Sequence, residues 1–142
     1  MGENVIETKS FDFAVRIVGL YKHLTQEKKE FVMAKQLLRC GTSIGANVAE
    51  AEKGQTKADF NAKMNIAMKE ANETYYWLRL LHSTDYLTDK ELQSMEKDID
   101  EIISILLSIC KKTKRKPSVR SIFIWARLFG NEPKITKTIT AR

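Results

Sequence analysis

Residues 33–51 read MAKQLLRCGTSIGANVAEA, and the spacing of their apolar side chains decides the fold. Met33, Leu37, Cys40, Ile44, Val48 and Ala51 recur at steps of three and four, which places them on one face of an α-helix. No Pro interrupts the stretch, so the pattern predicts one long helix over about 26–53, opening at Thr25-Gln26-Glu27-Lys28. Lys at position 28 leaves that capping box incomplete. Gly41 and Gly45 lie inside the helix, where each costs about 1 kcal/mol relative to Ala. With Ala49 they share a face free of large side chains, which lets another helix approach closely. A kink or break near 41–45 is the alternative.

The same periodicity recurs three times along the chain. Phe13, Ile17, Leu20 and Leu24 predict a helix over roughly 10–24, with Ser10 as candidate N-cap. Gly54-Gln55-Thr56 marks a turn, and Phe60, Met64, Ala67, Ala71, Tyr75 and Leu78 predict a helix over about 57–83. A second stripe there, Ile66, Trp77, Leu80 and Leu81, widens the apolar surface beyond what one buried face needs. Ser83 to Tyr86 closes it. Thr88-Asp89-Lys90-Glu91 is a complete capping box opening a fourth helix over about 89–112, with Leu92, Met95, Ile99, Ile102, Ile103, Leu106 and Ile109 on its apolar face. Pro117 ends it. Four amphipathic helices with short connections predict an all-α, up-down-up-down bundle over residues 1–116, followed by a basic, partly apolar extension over 117–142.

Composition narrows the function classes. The 142 residues contain 43% hydrophobic and 30% charged side chains with only six Gly and two Pro, which excludes disordered and collagen-like chains and argues against an all-β fold. Two Cys exclude a disulfide scaffold and a zinc quartet. No run of 18 apolar residues is present, and the start MGENVIETKSFDF carries acids where a signal peptide has basic residues, so a cytoplasmic protein is expected. Charge is unevenly placed. Residues 1–110 hold 14 basic and 17 acidic residues, net −3, whereas residues 111–142 hold 10 basic residues and one acid, Glu132, net +9. An acidic body with a basic tail suits an arm for nucleic acid, anionic lipid or an acidic protein.

The stretch from Lys35 to Leu81 resembles four-helix bundle proteins related to the 23S rRNA intervening-sequence protein. The matching residues are Gln36, Leu37, Arg39, Ser43, Ile44, Asn47, Val48 and Glu50, then Ile66-Ala67, Glu70, Glu73 and Trp77-Leu78, with Phe11 to Leu24 as the opening segment. The resemblance covers about 10–114. It implies a left-handed bundle, assembly as a homopentamer and no enzymatic activity. A related branch resembles accessory proteins of diversity-generating retroelements, which implies nucleic acid and a reverse transcriptase as partners. Residues 118–142 fall outside the family pattern.

Individual residues point the same way. Arg39, Ser43, Asn47 and Glu50 form a polar stripe, read as a mutually hydrogen-bonded network that fixes helix register, with ligand binding as the alternative. Gly41, Gly45, Ile66, Trp77 and Leu80 are the candidate oligomer interface. Glu-x-x-His, the di-metal motif of helical bundles, is absent, because Leu20 precedes His23 and Arg79 precedes His82 by three. Both His are expected at helix rims, and Cys40 and Cys110 as small hydrophobes. Asp98, Asp100 and Glu101 fit a solvated helix face. No nucleophile set, phosphate loop or dinucleotide fingerprint appears, so neither enzyme activity nor a cofactor is expected. Lys111, Lys112, Lys114, Arg115 and Lys116, with Arg120 and Arg127, are the candidate nucleic-acid contacts, and Trp125 and Phe129 could stack on bases. A protein partner, pure assembly or a membrane surface are the other readings of this tail.

Overall fold

The computed structural model describes residues 4–111, and they form four α-helices: α1 (Val5–Gln26), α2 (Val32–Glu52), α3 (Lys57–Ser83) and α4 (Asp89–Lys111). Each helix packs on two others, α1 and α3 each on α2 and α4, while the diagonal pairs stay apart. The centre is filled by the residues that the periodicity selects. Phe13, Ile17 and Leu24 of α1, Leu37, Ile44 and Val48 of α2, Met64 and Leu78 of α3, and Ile99, Ile102 and Leu106 of α4 are all buried. Burying each such side chain stabilises the fold by about 1.5–3 kcal/mol.

The helix ends follow from local chemistry. At α3, the Thr56 hydroxyl accepts from the Asp59 backbone N–H at 3.0 Å. At α4, the Glu91 carboxylate accepts from Thr88 N–H at 3.1 Å while the Thr88 hydroxyl accepts from Glu91 N–H at 3.2 Å, a reciprocal capping box. α3 ends in a Schellman turn, with Tyr86 N–H donating to Leu81 and Asp85 N–H to His82. Asp85 takes the required left-handed conformation at φ 69°.

Two boundaries differ from the sequence expectation. Ser10 is not an N-cap: α1 starts five residues earlier, and Ser10 is a buried interior residue whose hydroxyl donates to Glu7 O at 3.1 Å. α2 begins at Val32, not near 26. The chain turns at Lys29, where φ is 55°, and the buried Glu30 carboxylate then accepts from the N–H groups of Val32, Met33 and Ala34 at 3.2, 3.1 and 2.7 Å. A carboxylate set before the first turn satisfies free donors and suits the positive helix end.

α2 runs through Gly41 and Gly45 without a break. The helix that approaches this face is α1 of the same chain. A Cβ on Gly41 would lie 2.8–2.9 Å from three side-chain atoms of Ile17, and one on Gly45 would lie 3.2 Å from the Ser10 backbone oxygen. The two glycines therefore serve internal α1–α2 packing, and their assignment to an oligomer interface is corrected.

Candidate functional site

The polar stripe of α2 does not close on itself. Ser43 donates to the Arg39 carbonyl at 2.6 Å and Asn47 to the Ser43 carbonyl at 2.8 Å, so both hydroxyl and amide are satisfied by their own helix. Arg39 and Glu50 are eleven residues apart, about 16 Å along a helix, too far to pair. Each turns to α3 instead. Arg39 donates to Glu73 and lies 3.6 Å from Glu70, while Glu50 pairs with Lys63 at 2.6 Å. The expected Arg–Ser–Asn–Glu network is thus replaced by two crossings of the α2–α3 seam. Burial raises the Glu70 pKa, opposed by the positive charge of Arg39 and reinforced by Glu73. The hydrogen bond to Glu73 holds Arg39 in its charged form more firmly than usual. These pairs are solvent-accessible, and exposed pairs contribute about 0.2–1 kcal/mol each.

Beside this seam lies the second apolar stripe of α3. Ile66 is exposed, Trp77 and Leu80 are half-buried, and Tyr76 is exposed with its ring edge-on to Trp77, centroids 5.1 Å apart. The Trp77 ring N–H is buried without a hydrogen-bond partner among the described residues. A second exposed apolar face was not singled out from the sequence. On α1, Phe11, Val15 and Val18 are 67%, 57% and 37% exposed and follow one another by four and three residues. Their spacing was readable, but they share a segment with the stronger core stripe of Phe13, Ile17 and Leu24. Phe31 and Val32 are also exposed, at the start of α2.

Other titratable groups join one helix to another or stay at the surface. Asp98 pairs with Arg16, and Glu101 with Lys9 at 2.7 Å, so two of the three carboxylates read as a solvated face tie α4 to α1. Asp100 stays exposed, its pKa raised by partial burial and then by Glu96. His82 sits at the end of α3, 2.6 Å from Asp89. Burial pushes the Cys40 thiol up to about 11 and raises Cys110 as well, which leaves both poor nucleophiles. Among the described residues no group of three or more His, Cys, Asp or Glu could hold a metal ion, and no helix is long and apolar enough to cross a membrane.

Of the candidate basic contacts, Lys111 is described: it is exposed and ends α4. Lys112, Lys114, Arg115, Lys116, Arg120 and Arg127 lie outside the described residues, as do Trp125 and Phe129. Lys9 in the second turn of α1 meets Glu101 midway along α4, and Asn4, just before α1, donates to Glu52 at the end of α2. Lys111 therefore stands at the same end of the molecule as the α2–α3 turn, where Lys53 and Lys57 are exposed.

Comparison with known proteins agrees with this architecture. The family model of the 23S rRNA-intervening sequence proteins matches residues 3–108. A crystal structure of a protein of unknown function from the S23 ribosomal protein family of Bacteroides thetaiotaomicron is similar to this chain, with 58% identity and a TM-score of 0.74. The likeness covers 75% of this chain and 98% of that one. No curated protein matches.

Proposed function

The chain belongs to the 23S rRNA-intervening sequence protein family, and from that premise we propose that it is a non-enzymatic, self-assembling bundle that binds RNA through basic surfaces. In this reading the four helices run up-down-up-down with a left-handed twist. The chain forms a homopentamer in the cytoplasm, and the α3 stripe of Ile66, Trp77 and Leu80 contributes to the subunit contact.

One observation carries the RNA reading: the separation of charge. The body to residue 110 is net −3, while the last 32 residues are net +9 and begin at Lys111, at the same end of the bundle as Lys53 and Lys57. A phosphate backbone rewards clustered Lys and Arg through counterion release, and sequence-independent contacts need nothing more. Assembly multiplies such weak contacts, because linked sites bind at high effective concentration. The absence of nucleophile, phosphate-loop and dinucleotide motifs from the sequence supports a non-enzymatic role.

The test is RNA binding by the full chain against a variant with Lys111, Lys112, Lys114, Arg115 and Lys116 all changed to Gln. The reading expects tight binding at low salt that the variant loses. Equal binding by both would move the contact onto the bundle. Binding by neither would favour a second reading, a protein-interaction scaffold or adaptor, for which the exposed Phe11, Val15, Ile66 and Tyr76 supply the surface. A reverse transcriptase is one partner class for that role.

A further inference from the structure

Two apolar faces remain uncovered, on helices that never touch within the chain. One is the outer face of α1, Phe11, Val15 and Val18, continued at Val5, which is 54% exposed. The other is the outer face of α3, Ile66, Tyr76, Trp77 and Leu80. We propose that these faces are complementary, and that α1 of one copy lies antiparallel against α3 of the next. The proposal rests on the self-assembly reading above and adds to it the counter-face and the register.

The charges left over on each face support the pairing. Most charged residues near the seams are matched within the chain: Lys9 with Glu101, Arg16 with Asp98, Glu73 with Arg39, and Lys63 with Glu50. Asp12 and Lys22 on α1, and Asp59 and Lys69 on α3, are exposed and have no ion pair among the described residues. Asp12 and Lys22 are ten residues apart, and so are Asp59 and Lys69. With the helices antiparallel, one register sets Asp12 against Lys69 and Lys22 against Asp59. The same register brings Val15 level with Ile66 and Val5 level with Tyr76, while Phe11 and Val18 fall level with Glu70 and Lys63. Opposite charges and apolar side chains are thus matched at four levels over about 25 Å of helix. Because the two faces differ, the contact is heterologous, and it closes into a ring or extends as a filament.

The experiment is the mass of the full chain by sedimentation velocity, at low salt and over a range of protein concentrations. Wild type is expected at a multiple of 16.3 kDa. Val15→Glu, at an exposed position, should keep the helical circular dichroism and fall to the single-chain mass. Asp12→Lys and Lys69→Asp should each weaken assembly by about two- to fivefold, the scale of an exposed ion pair. Together, the two substitutions should restore it. An assembled Val15→Glu protein, or no rescue by the double variant, would overturn the α1–α3 pairing while leaving self-assembly standing. A monomeric wild type would overturn both.

Discussion

Gly41→Ala isolates the close approach of α1 to α2. The substitution removes a glycine from a helix interior, which by itself gains about 1 kcal/mol. The new methyl, however, would sit 2.8–2.9 Å from Cγ1, Cδ1 and Cγ2 of Ile17. Cγ2 is fixed to the branched Cβ, and Ile17 is fully buried, so the side chain has no open space to rotate into. Overpacking of this kind costs about 1–3 kcal/mol. The net expectation is a loss of about 1 kcal/mol, a fall of roughly 3–5 °C in melting temperature. Gly19→Ala is the control, because its Cβ meets nothing within 4 Å and the same propensity gain should appear unopposed. Urea unfolding of both variants at one protein concentration measures the difference. Adding Ile17→Ala to Gly41→Ala removes all three clashing carbons, so the two changes should couple favourably by about 1–2 kcal/mol. If Gly41→Ala gained as much as Gly19→Ala, the argument for close α1–α2 contact would be refuted.

Three further outcomes are expected. Glu30→Ala leaves three backbone N–H groups at the start of α2 without their carboxylate acceptor, and urea unfolding should show a loss of about 1–2 kcal/mol. Lys29→Gly relieves a positive φ of 55° that a side chain disfavours, and the same assay should show a gain of about 1 kcal/mol. Burial, reinforced by the hydrogen bond its hydroxyl donates to Glu96, pushes the Tyr75 pKa from 10.0 to about 12. A raised pKa means that Tyr75 contributes stability that is fully present below pH 10 and is lost as the pH climbs through 12. In ultraviolet titration one of the four tyrosines should ionise late, and Tyr75→Phe should delete that late component.

How much of this was legible in the sequence depended on whether the deciding interaction was local. The start of α4 was readable because Thr88 and Glu91 cap one another within four residues, and α3 was readable from Gly54 to Tyr86 for the same reason. The start of α1 was misplaced because a serine that caps and a serine that bonds back to its own helix look alike. Ser10 does the latter, against the approaching Gly45. The start of α2 was misplaced because its cap is a buried Glu placed by a left-handed Lys, a combination without a compact signature. Gly41 and Gly45 announced a close helix contact, but not whether the partner helix was in the same chain. Arg39 and Glu50 were legible as a polar stripe, while their partners Glu73 and Lys63 became visible only once α3 was in place. The outer face of α1 was hidden behind the stronger core stripe that runs through the same segment.

An assembled bundle with a basic arm must lose RNA as salt rises, because bound phosphates release their counterions. A fluorescent single-stranded RNA would be titrated with the full chain between 50 and 200 mM salt. Five phosphate contacts from Lys111 to Lys116 predict a slope of log affinity on log salt of about −3.5, a loss of roughly a hundredfold over that range. Contacts from further along the tail would make it steeper. An affinity that did not change with salt, or no binding at 50 mM, would mean that the basic arm does not hold RNA through its phosphates.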